Sequence, residues 1–256
     1  MIFTPIHSLQ NSTITFRLNR SFTPNEYLTL ARHGLNTEYC PRRFHAIIMR
    51  LRSTRMGGSV TVIVFSSGRL VMTGIRQHLQ STNDNNNNIS PQIQTVIGRI
   101  CRRLDRSLAA GYRMGECGEQ DGTTPPPPSL RAHSIHVRNL VGARRLRFPL
   151  ALLPLREWMM EGYRTRLPLR PITMGVTWPF RNVTVISCIL DQTQFPGLRC
   201  ALRLDDGGEE EAYEFTSLVF GTGRMIITGV HTIEQMERGL DVLERIYSQF
   251  PSPRPS

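Results

Sequence analysis

The chain has 256 residues, of which 39% are hydrophobic, and it carries 31 basic against 20 acidic side chains, a formal net charge of +11. That length allows one large domain or two small ones, and a pI near 10.4 favours a polyanionic partner such as nucleic acid. Every basic residue is an arginine and none a lysine, which is typical of arginine-biased codon usage in a G+C-rich genome.

The cysteines and the apolar runs argue against zinc-binding, secreted disulfide-rich and membrane-spanning proteins. Five cysteines (40, 101, 117, 188 and 200) are odd in number and widely spaced, which argues against a zinc site and a secreted disulfide frame. No apolar run approaches membrane-spanning length, and no signal-peptide pattern opens the sequence. We therefore expect an intracellular protein without a metal site.

In chain order, the first half begins with a strand over 8–16 and a short helix that starts in the capping box at Thr23 and ends near His33. A strand over 44–51 and a hairpin over 61–74 follow. After the polar run at 81–88, a helix starting at Ser90-Pro91 has apolar residues at helical spacing. Its arginines at 99, 102, 103 and 106 are more typical of a solvated face than of a site.

The second half repeats this order. We predict a first repeat at 1–112, a Gly/Pro-rich linker at 113–131, a second repeat at 132–250 with an insertion at about 158–190, and a disordered tail at 251–256. Within the second repeat, strands are predicted over 133–141 and 195–204 and a hairpin over 216–229. The helix that Thr232 caps closes the repeat.

The two hairpins carry the internal repeat. TVIVFSSGRLVMTG (61–74) and TSLVFGTGRMIITG (216–229) share seven identical positions at an offset of 155 residues. Side chains alternate across a strand, so Val62, Val64, Leu70 and Met72 face one way, and the Phe65 side of the strands faces the other. Both faces are apolar. Helices can cover only one of them, so the other is predicted to meet a partner.

These elements predict an α+β fold. We expect a pseudo-twofold saddle in which two β-α-β-β-β-β-α-like repeats form one curved antiparallel sheet, with the helices on its convex face. In this arrangement the uncovered apolar side of the hairpins would lie on the concave face.

The sequence resembles the core of the TATA-box-binding protein family. The matching pieces are SLQN (8–11), EYCPRRF (38–44), IIMR (47–50), VFSSGRLVMTG (64–74), RNLVG (138–142), FP (148–149), FPGL (195–198) and VFGTGRMIITG (219–229). One hairpin match would be weak, but a duplicated set in the same order is specific. The resemblance covers most of 8–250.

The resemblance implies a set of DNA contacts. Phenylalanine pairs would intercalate between base steps: Phe44 with Phe65, and Phe195 with Phe220. Minor-groove contacts would come from Asn11, Asn139, Thr13, Val141, Ile63, Val71, Thr73, Leu218, Ile226 and Thr228. Phosphate contacts would come from Arg50, Arg69, Arg199 and Arg224.

Several residues depart from the family pattern and indicate a divergent, TBP-related factor. Thr13 stands where the family usually has valine, His45 replaces a small alanine, and Ala201 replaces an arginine. The family's transcription factor IIB-binding pattern is absent before Phe195. An acidic loop includes Asp205, Asp206, Glu209, Glu210 and Glu211, which we expect to face a protein partner or solvent. An early-branching eukaryote, such as a trypanosomatid, would fit the absence of lysine.

Two functions follow as hypotheses. The first is a nuclear transcription initiation factor that binds the minor groove of A/T-rich promoter DNA, kinks it and nucleates a preinitiation complex. The alternative is a scaffold with the same fold but weak or relaxed intrinsic TATA binding. The implied partners are transcription factor IIA, a transcription factor IIB-like protein and a small-nuclear-RNA-gene activating complex. No cofactor, small-molecule substrate or catalytic activity is expected, because paired carboxylates, metal-ligand clusters and nucleophile motifs are missing.

Overall fold

A computed structural model describes residues 9–53, 58–76, 90–115, 128–164, 180, 182–205 and 212–250. The chain divides into two compact units. The first unit is Asn11–Arg138, and the second runs from Asn139 onward and includes the chain before Asn11. The predicted division into repeats at 1–112 and 132–250, joined by a linker at 113–131, stays a prediction.

The strands of the first unit have the order β2-β3-β4-β5-β1, and each neighbouring pair is antiparallel. The elements, in chain order, are β1 (Leu9–Leu18), α1 (Pro24–His33), β2 (Thr37–Cys40), β3 (Phe44–Ser53), β4 (Gly58–Val64), β5 (Arg69–Thr73) and α2 (Pro91–Arg113).

The strands of the second unit have the equivalent order β6-β10-β9-β8-β7, again with antiparallel neighbours. Its elements are β6 (Ala132–Arg145), α3 (Leu152–Arg164), β7 (Val183–Ile189), β8 (Gly197–Leu204), β9 (Tyr213–Phe220), β10 (Arg224–Val230) and α4 (Ile233–Gln249). Both sheets therefore belong to β-α-β-β-β-β-α sequences, and the predicted α+β class is confirmed.

The structure gives residue bounds to three elements of the predicted repeat pattern that the sequence had not located. Strand β2 precedes the predicted strand at 44–51, and a turn at Pro41–Arg43 separates it from β3. Helix α3 and strand β7 occupy both ends of the predicted insertion at 158–190, and they take the places that α1 and β2 have in the first unit. Most of the segment between α3 and β7 lies outside the described residues.

The predicted helix starts are confirmed. The Thr23 hydroxyl accepts from the Glu26 N–H, and the Glu26 carboxylate accepts from the Thr23 N–H, so α1 begins in a complete capping box. Ser90 caps α2 with Pro91 in its first turn, and Thr232 caps α4. None of the described helices has the length and apolar content needed to cross a membrane.

The helices of each unit cover one face of its sheet. In the first unit, the side chains that alternate inward on the central strands are fully buried: Val60, Val62, Val64, Leu70 and Met72. They form one core with the predicted stripe of α2, which is Ile93, Val96, Ile97, Ile100, Cys101, Leu104 and Leu108. In the second unit, Met225 and Ile227 are buried on the same side as the α4 residues Met236, Leu240 and Leu243.

Two cysteines are paired in the second unit. Cys188 on β7 lies directly opposite Cys200 on β8 in strand register, and the two form a disulfide. The expectation from spacing alone did not include this bond, because 12 residues separate them in sequence and only the strand pairing brings them together. Cys40 is an exposed free thiol and Cys101 a buried one.

Glu26 connects the two helices of the first unit. Its carboxylate, 4% exposed, accepts hydrogen bonds from the Tyr112 hydroxyl near the end of α2, the Thr23 N–H and the Arg20 guanidinium. Burial alone would raise the pKa of Glu26, but these hydrogen bonds outweigh it and hold the pKa below its ordinary value of 4.5. The charged carboxylate therefore stabilises the folded unit.

We predict that Glu26→Gln lowers the free energy of unfolding by roughly 1–3 kcal/mol near neutral pH. Because the folded pKa lies below the unfolded one, the contribution is complete above about pH 5 and disappears as pH falls through the lowered pKa. Urea unfolding of both proteins along a pH series should show the gap closing on acidification. Glu38→Gln, in the exposed ion pair with Arg50, should change little. A gap that stays constant with pH would contradict this role of the charge.

Candidate nucleic-acid interface

Each sheet has an open face, which we define as the face opposite its helices. In the first unit the open-face residues alternate with the buried ones and are only half-buried, as Ile48, Ile63 and Val71 illustrate. In the second unit Leu218 and Ile226 are equivalent. The predicted assignment of faces in the first hairpin is therefore confirmed, and apolar side chains remain accessible in both units.

The predicted phenylalanine pairs both exist at the ends of these faces. The rings of Phe44 and Phe65 have centroids 6.2 Å apart, and those of Phe195 and Phe220 are 5.5 Å apart. Both pairs pack edge to face. Phe44 and Phe195 are 42% and 37% exposed, which is unusual for a large apolar side chain.

The backbone around the rings leaves space for them. Gly197 lies opposite Phe220 in register, and a Cβ added to Gly197 would come within 2.7 Å of the Phe195 ring. A turn in front of Phe195 is closed by its N–H, which donates to the Asp191 carbonyl at 2.9 Å. Hydrogen bonds from the hydroxyl and N–H of Thr193 hold the pKa of the Asp191 carboxyl below its usual range.

The predicted asparagines are held in the same way in both units. The Oδ1 of Asn11 accepts from the Gly74 N–H, and that of Asn139 accepts from the Gly229 N–H, each at 2.8 Å. Each asparagine also bonds a threonine hydroxyl, Thr73 or Thr228. An N–H can only donate, so it fixes which side-chain atom is the oxygen and leaves Nδ2 as the donor for a ligand.

The remaining predicted groove-floor residues lie on the open faces. Strand register joins Thr13 to Thr73 and Ile63 to Val71 in the first unit. In the second unit it joins Thr228 to Val141 and Ile226 to Leu218. All eight are half-buried. Together with the asparagines they give each unit a surface of β-branched and aliphatic groups with few polar atoms.

The four predicted phosphate-binding arginines are exposed. Arg69 and Arg224 begin equivalent strands, whereas Arg50 is paired with Glu38 at 3.2 Å. Arg199 lies opposite Leu218 and contributes to an open groove of about 700 Å³, with Phe195, Ala201 and Thr216 among its lining residues.

Two further arginines were missed by the sequence reasoning. Arg17 lies directly opposite Arg69 on β1, and Arg145 lies directly opposite Arg224 on β6. Counting in steps of two from Asn11 and Asn139 reaches both, so strand periodicity could have found them. Like charges directly opposite one another destabilise a sheet. Because both units contain such a pair, the arginines are candidates for binding an anion, which would neutralise them.

The structure describes only part of the acidic loop and of the residues that could bind a metal. Of the acidic partner-binding candidates, Asp205 is exposed at the end of β8, and Asp206, Glu209, Glu210 and Glu211 lie outside the described residues. Among the described residues, no group of three or more His, Cys, Asp or Glu side chains is placed to hold a metal ion.

Comparisons with known proteins give one consistent result. A family model described as "Transcription factor TFIID (or TATA-binding protein, TBP)" matches residues 7–96. The chain is 21% identical over 247 residues to a TATA-box-binding protein of Emericella nidulans, covering 96% of this chain and 65% of that relative. It is 39% identical over 148 residues to one of Caenorhabditis elegans, covering 58% of this chain and 32% of that relative.

The fold of a solved archaeal structure also matches. Methanococcus jannaschii TBP aligns with a TM-score of 0.53 and 19% identity, over 94% of this chain and 98% of that one. At this identity the match supports the fold alone. The chain spans less than two thirds of the two relatives named above.

We predict that Gly74→Ala lowers the free energy of unfolding by roughly 1–3 kcal/mol. Gly74 has φ +93°, and an added Cβ would lie 2.6 Å from the Ser59 carbonyl oxygen. Gly98→Ala on α2 is the matched control, because its added Cβ meets only the end of Arg102, at 3.6 Å. That variant should be stabilised by up to about 1 kcal/mol. Urea unfolding measures the free energy of unfolding of both variants. Changes of the same sign would contradict the claim that the positive φ and close contact of Gly74 require glycine.

Proposed function

We propose that this chain, a member of the TATA-box-binding protein family, is a DNA-binding transcription initiation factor that acts at promoters in the nucleus. The observation that carries this proposal is the equivalence of the two open faces. Each offers a phenylalanine pair with one exposed ring, an anchored asparagine and a pair of opposed arginines. An anionic, roughly twofold ligand with apolar edges, which is what duplex DNA offers, fits both faces.

The phenylalanines act as wedges in this proposal. An apolar side chain inserted between base pairs unstacks them and kinks DNA toward the major groove, at a cost of about a few kcal/mol per step. This family is itself an established example of that mechanism. The edge-to-face packing of each pair supports one ring against the other. Phe44 and Phe195, the more exposed members, would enter the base step first.

The asparagines and the aliphatic residues read the minor groove. A·T pairs present only acceptors there, and G·C pairs add the guanine amino donor. The Nδ2 atoms of Asn11 and Asn139 supply the complementary donors. Compact groups such as Val71 and Ile226 press on the floor of the groove where an amino group would clash, which favours A/T-rich sites.

The opposed arginines hold the phosphates. Binding of an anion between Arg17 and Arg69, or between Arg145 and Arg224, would convert a repulsive pair into a charge-assisted contact. Each neutralised phosphate releases counterions, so the affinity should fall steeply as salt rises.

The helical side is proposed to assemble the preinitiation complex. Arg99, Arg102, Arg103 and Arg106 lie together on α2 around one shallow depression. We interpret this basic cluster as a binding site for an acidic protein surface, because oppositely charged surfaces attract each other. Transcription factor IIA, a transcription factor IIB-like protein and a small-nuclear-RNA-gene activating complex are the proposed partners. The acidic loop from Asp205 onward is a second contact candidate. No catalytic activity is proposed.

A second function remains a candidate because three residues change the DNA-facing surface. Thr13 adds polarity, exposed His45 lies beside the Phe44 wedge, and Ala201 removes a cation. A chain with these changes could serve as a scaffold that depends on its partners for DNA affinity. Gel shifts of the lone protein on A/T-rich duplexes discriminate the two functions. Nanomolar binding at low salt that weakens steeply with added salt supports the initiation factor, and weak binding supports the scaffold.

We predict that the double variant Phe65→Ala and Phe220→Ala strongly reduces DNA bending, because one support of each wedge is removed. Bending is measured by FRET between dyes at the two ends of a duplex. The control Leu28→Ala and Leu35→Ala removes exposed apolar groups at α1 and just after it, and it should bend DNA as the parent does. Full bending by the phenylalanine variant at saturating protein would exclude the wedge mechanism.

A further inference from the structure

The open faces of the two units differ along one row of side chains. In the first unit, strand register places Arg50, Thr61, Thr73 and Thr13 side by side across β3, β4, β5 and β1. In the second unit, the equivalent row is Ala201, Thr216, Thr228 and Val141 across β8, β9, β10 and β6. The two central threonines are the same in both rows, so the differences lie at the ends.

The end nearest the asparagines matters most for reading bases. Thr13 and Val141 lie opposite Thr73 and Thr228, the threonines that bond Asn11 and Asn139. Both side chains are half-buried and nearly the same shape, but a hydroxyl in threonine replaces a methyl group of valine. The Thr13 hydroxyl has no hydrogen-bond partner among the described residues, whereas the neighbouring Thr15 hydroxyl accepts from Arg138.

The asparagines show a second asymmetry. The Nδ2 of Asn11 is 3.1 Å from the Thr73 hydroxyl and can donate to it. The Nδ2 of Asn139 has no partner within the part of the second unit that the structure describes. The second unit therefore offers a free donor next to an apolar floor, and the first offers a partly committed donor next to a free acceptor.

From these differences we propose that the first unit accepts a G·C pair in its half of the DNA site, whereas the second unit requires A·T. This inference rests on the proposed minor-groove function. A guanine amino group placed against Val141 would lose its hydrogen bond to water and face the Asn139 donor. Against Thr13 it can donate to the hydroxyl. Thr13 can also donate to the acceptors of an A·T pair, so that unit accepts both.

If the two units accept different base pairs, the protein binds the duplex in a preferred orientation. A symmetric A/T-rich duplex can be bound in two orientations, which the equivalent faces make similar in energy. A single G·C pair in one half would disfavour one orientation by about the cost of one mismatched pair, roughly five- to 150-fold in affinity. The protein would then place its first unit on the half that contains G·C. Thr13 and Val141 are the residues that determine this specificity.

The test uses the full chain and three duplexes that differ at one position. One is a palindrome of A·T pairs, one has a single G·C pair in one half, and one has inosine·cytosine there, which lacks the guanine amino group. The position of the pair is moved through that half-site in turn. The ratio of the affinities for the G·C and inosine·cytosine duplexes isolates the amino group. Circular dichroism of each protein variant checks the fold.

Orientation is read from one dye on the protein and one on a DNA end. Cys40 is an exposed thiol in the first unit. Burial, with Asp105 nearby, raises the pKa of Cys101 to about 11, so that thiol reacts slowly. Cys117→Ser removes the cysteine outside the described residues. FRET should then show equal orientations on the A·T and inosine·cytosine duplexes, and should place Cys40 near the G·C half on the third.

Substitutions assign the effect to single atoms. Thr13→Val should lower the affinity for the G·C duplex relative to inosine·cytosine by about tenfold and remove the orientation preference. Val141→Thr should remove the preference by letting the second unit accept G·C as well. Thr95→Val, on the exposed side of α2, is the matched control and should leave the affinity ratio and the orientation as in the parent.

The outcomes separate the two claims. Failure of the parent protein to bind the all-A·T duplex overturns the proposed function and this inference with it. Binding to that duplex without an orientation preference on the G·C duplex overturns the inference alone. Equal affinity ratios for the parent and Thr13→Val also overturn it, because the hydroxyl would then have no part in accepting guanine.

Discussion

Side chains alternate across each antiparallel strand, and the helices of each unit cover only one face of its strands. These two constraints determine which residues of the protein are exposed to a ligand. Val62, Val64, Leu70 and Met72 are buried under the helices, so their neighbours in sequence must face outward. Those neighbours are mostly apolar residues, threonine or arginine, and fewer of them are polar than is usual for a sheet face in contact with water. A contiguous apolar face of this kind typically marks a binding surface, and the opposed arginines support the proposal of an anionic ligand.

The two open faces share the same asparagine anchor, and they differ in the residues beside it. The hydrogen bonds from the Gly74 N–H to Asn11 and from the Gly229 N–H to Asn139 are both 2.8 Å long, so both units fix the amide oxygen in the same way. The ends of the row next to each asparagine are free to differ because they do not hold the strands together. The inferred unequal reading of bases arises at those positions.

Much of this arrangement could be predicted from sequence, because the signals were local. The capping box at Thr23, the helical spacing in α2 and the period of two in the hairpins each lie within a few residues. Helix α3 was missed because Pro154 and the absence of a capping box obscure its start, and β2 because only pairing with β3 defines it. The anchoring of Asn11 joins residues 62 and 63 positions apart, which no local pattern reveals. Arg17 and Arg145 follow from periodicity once the strands are known.

The central claim is that the exposed phenylalanine pairs enter the base stack. The most direct measurement is the fluorescence of 2-aminopurine, which is quenched by stacking, placed one position at a time along a bound A/T-rich duplex. Binding of the protein should raise the fluorescence sharply at two separate steps, one for each phenylalanine pair, and leave the positions between them near their free values. Saturating binding that leaves the signal quenched at every position would show that the rings lie against the DNA without entering it.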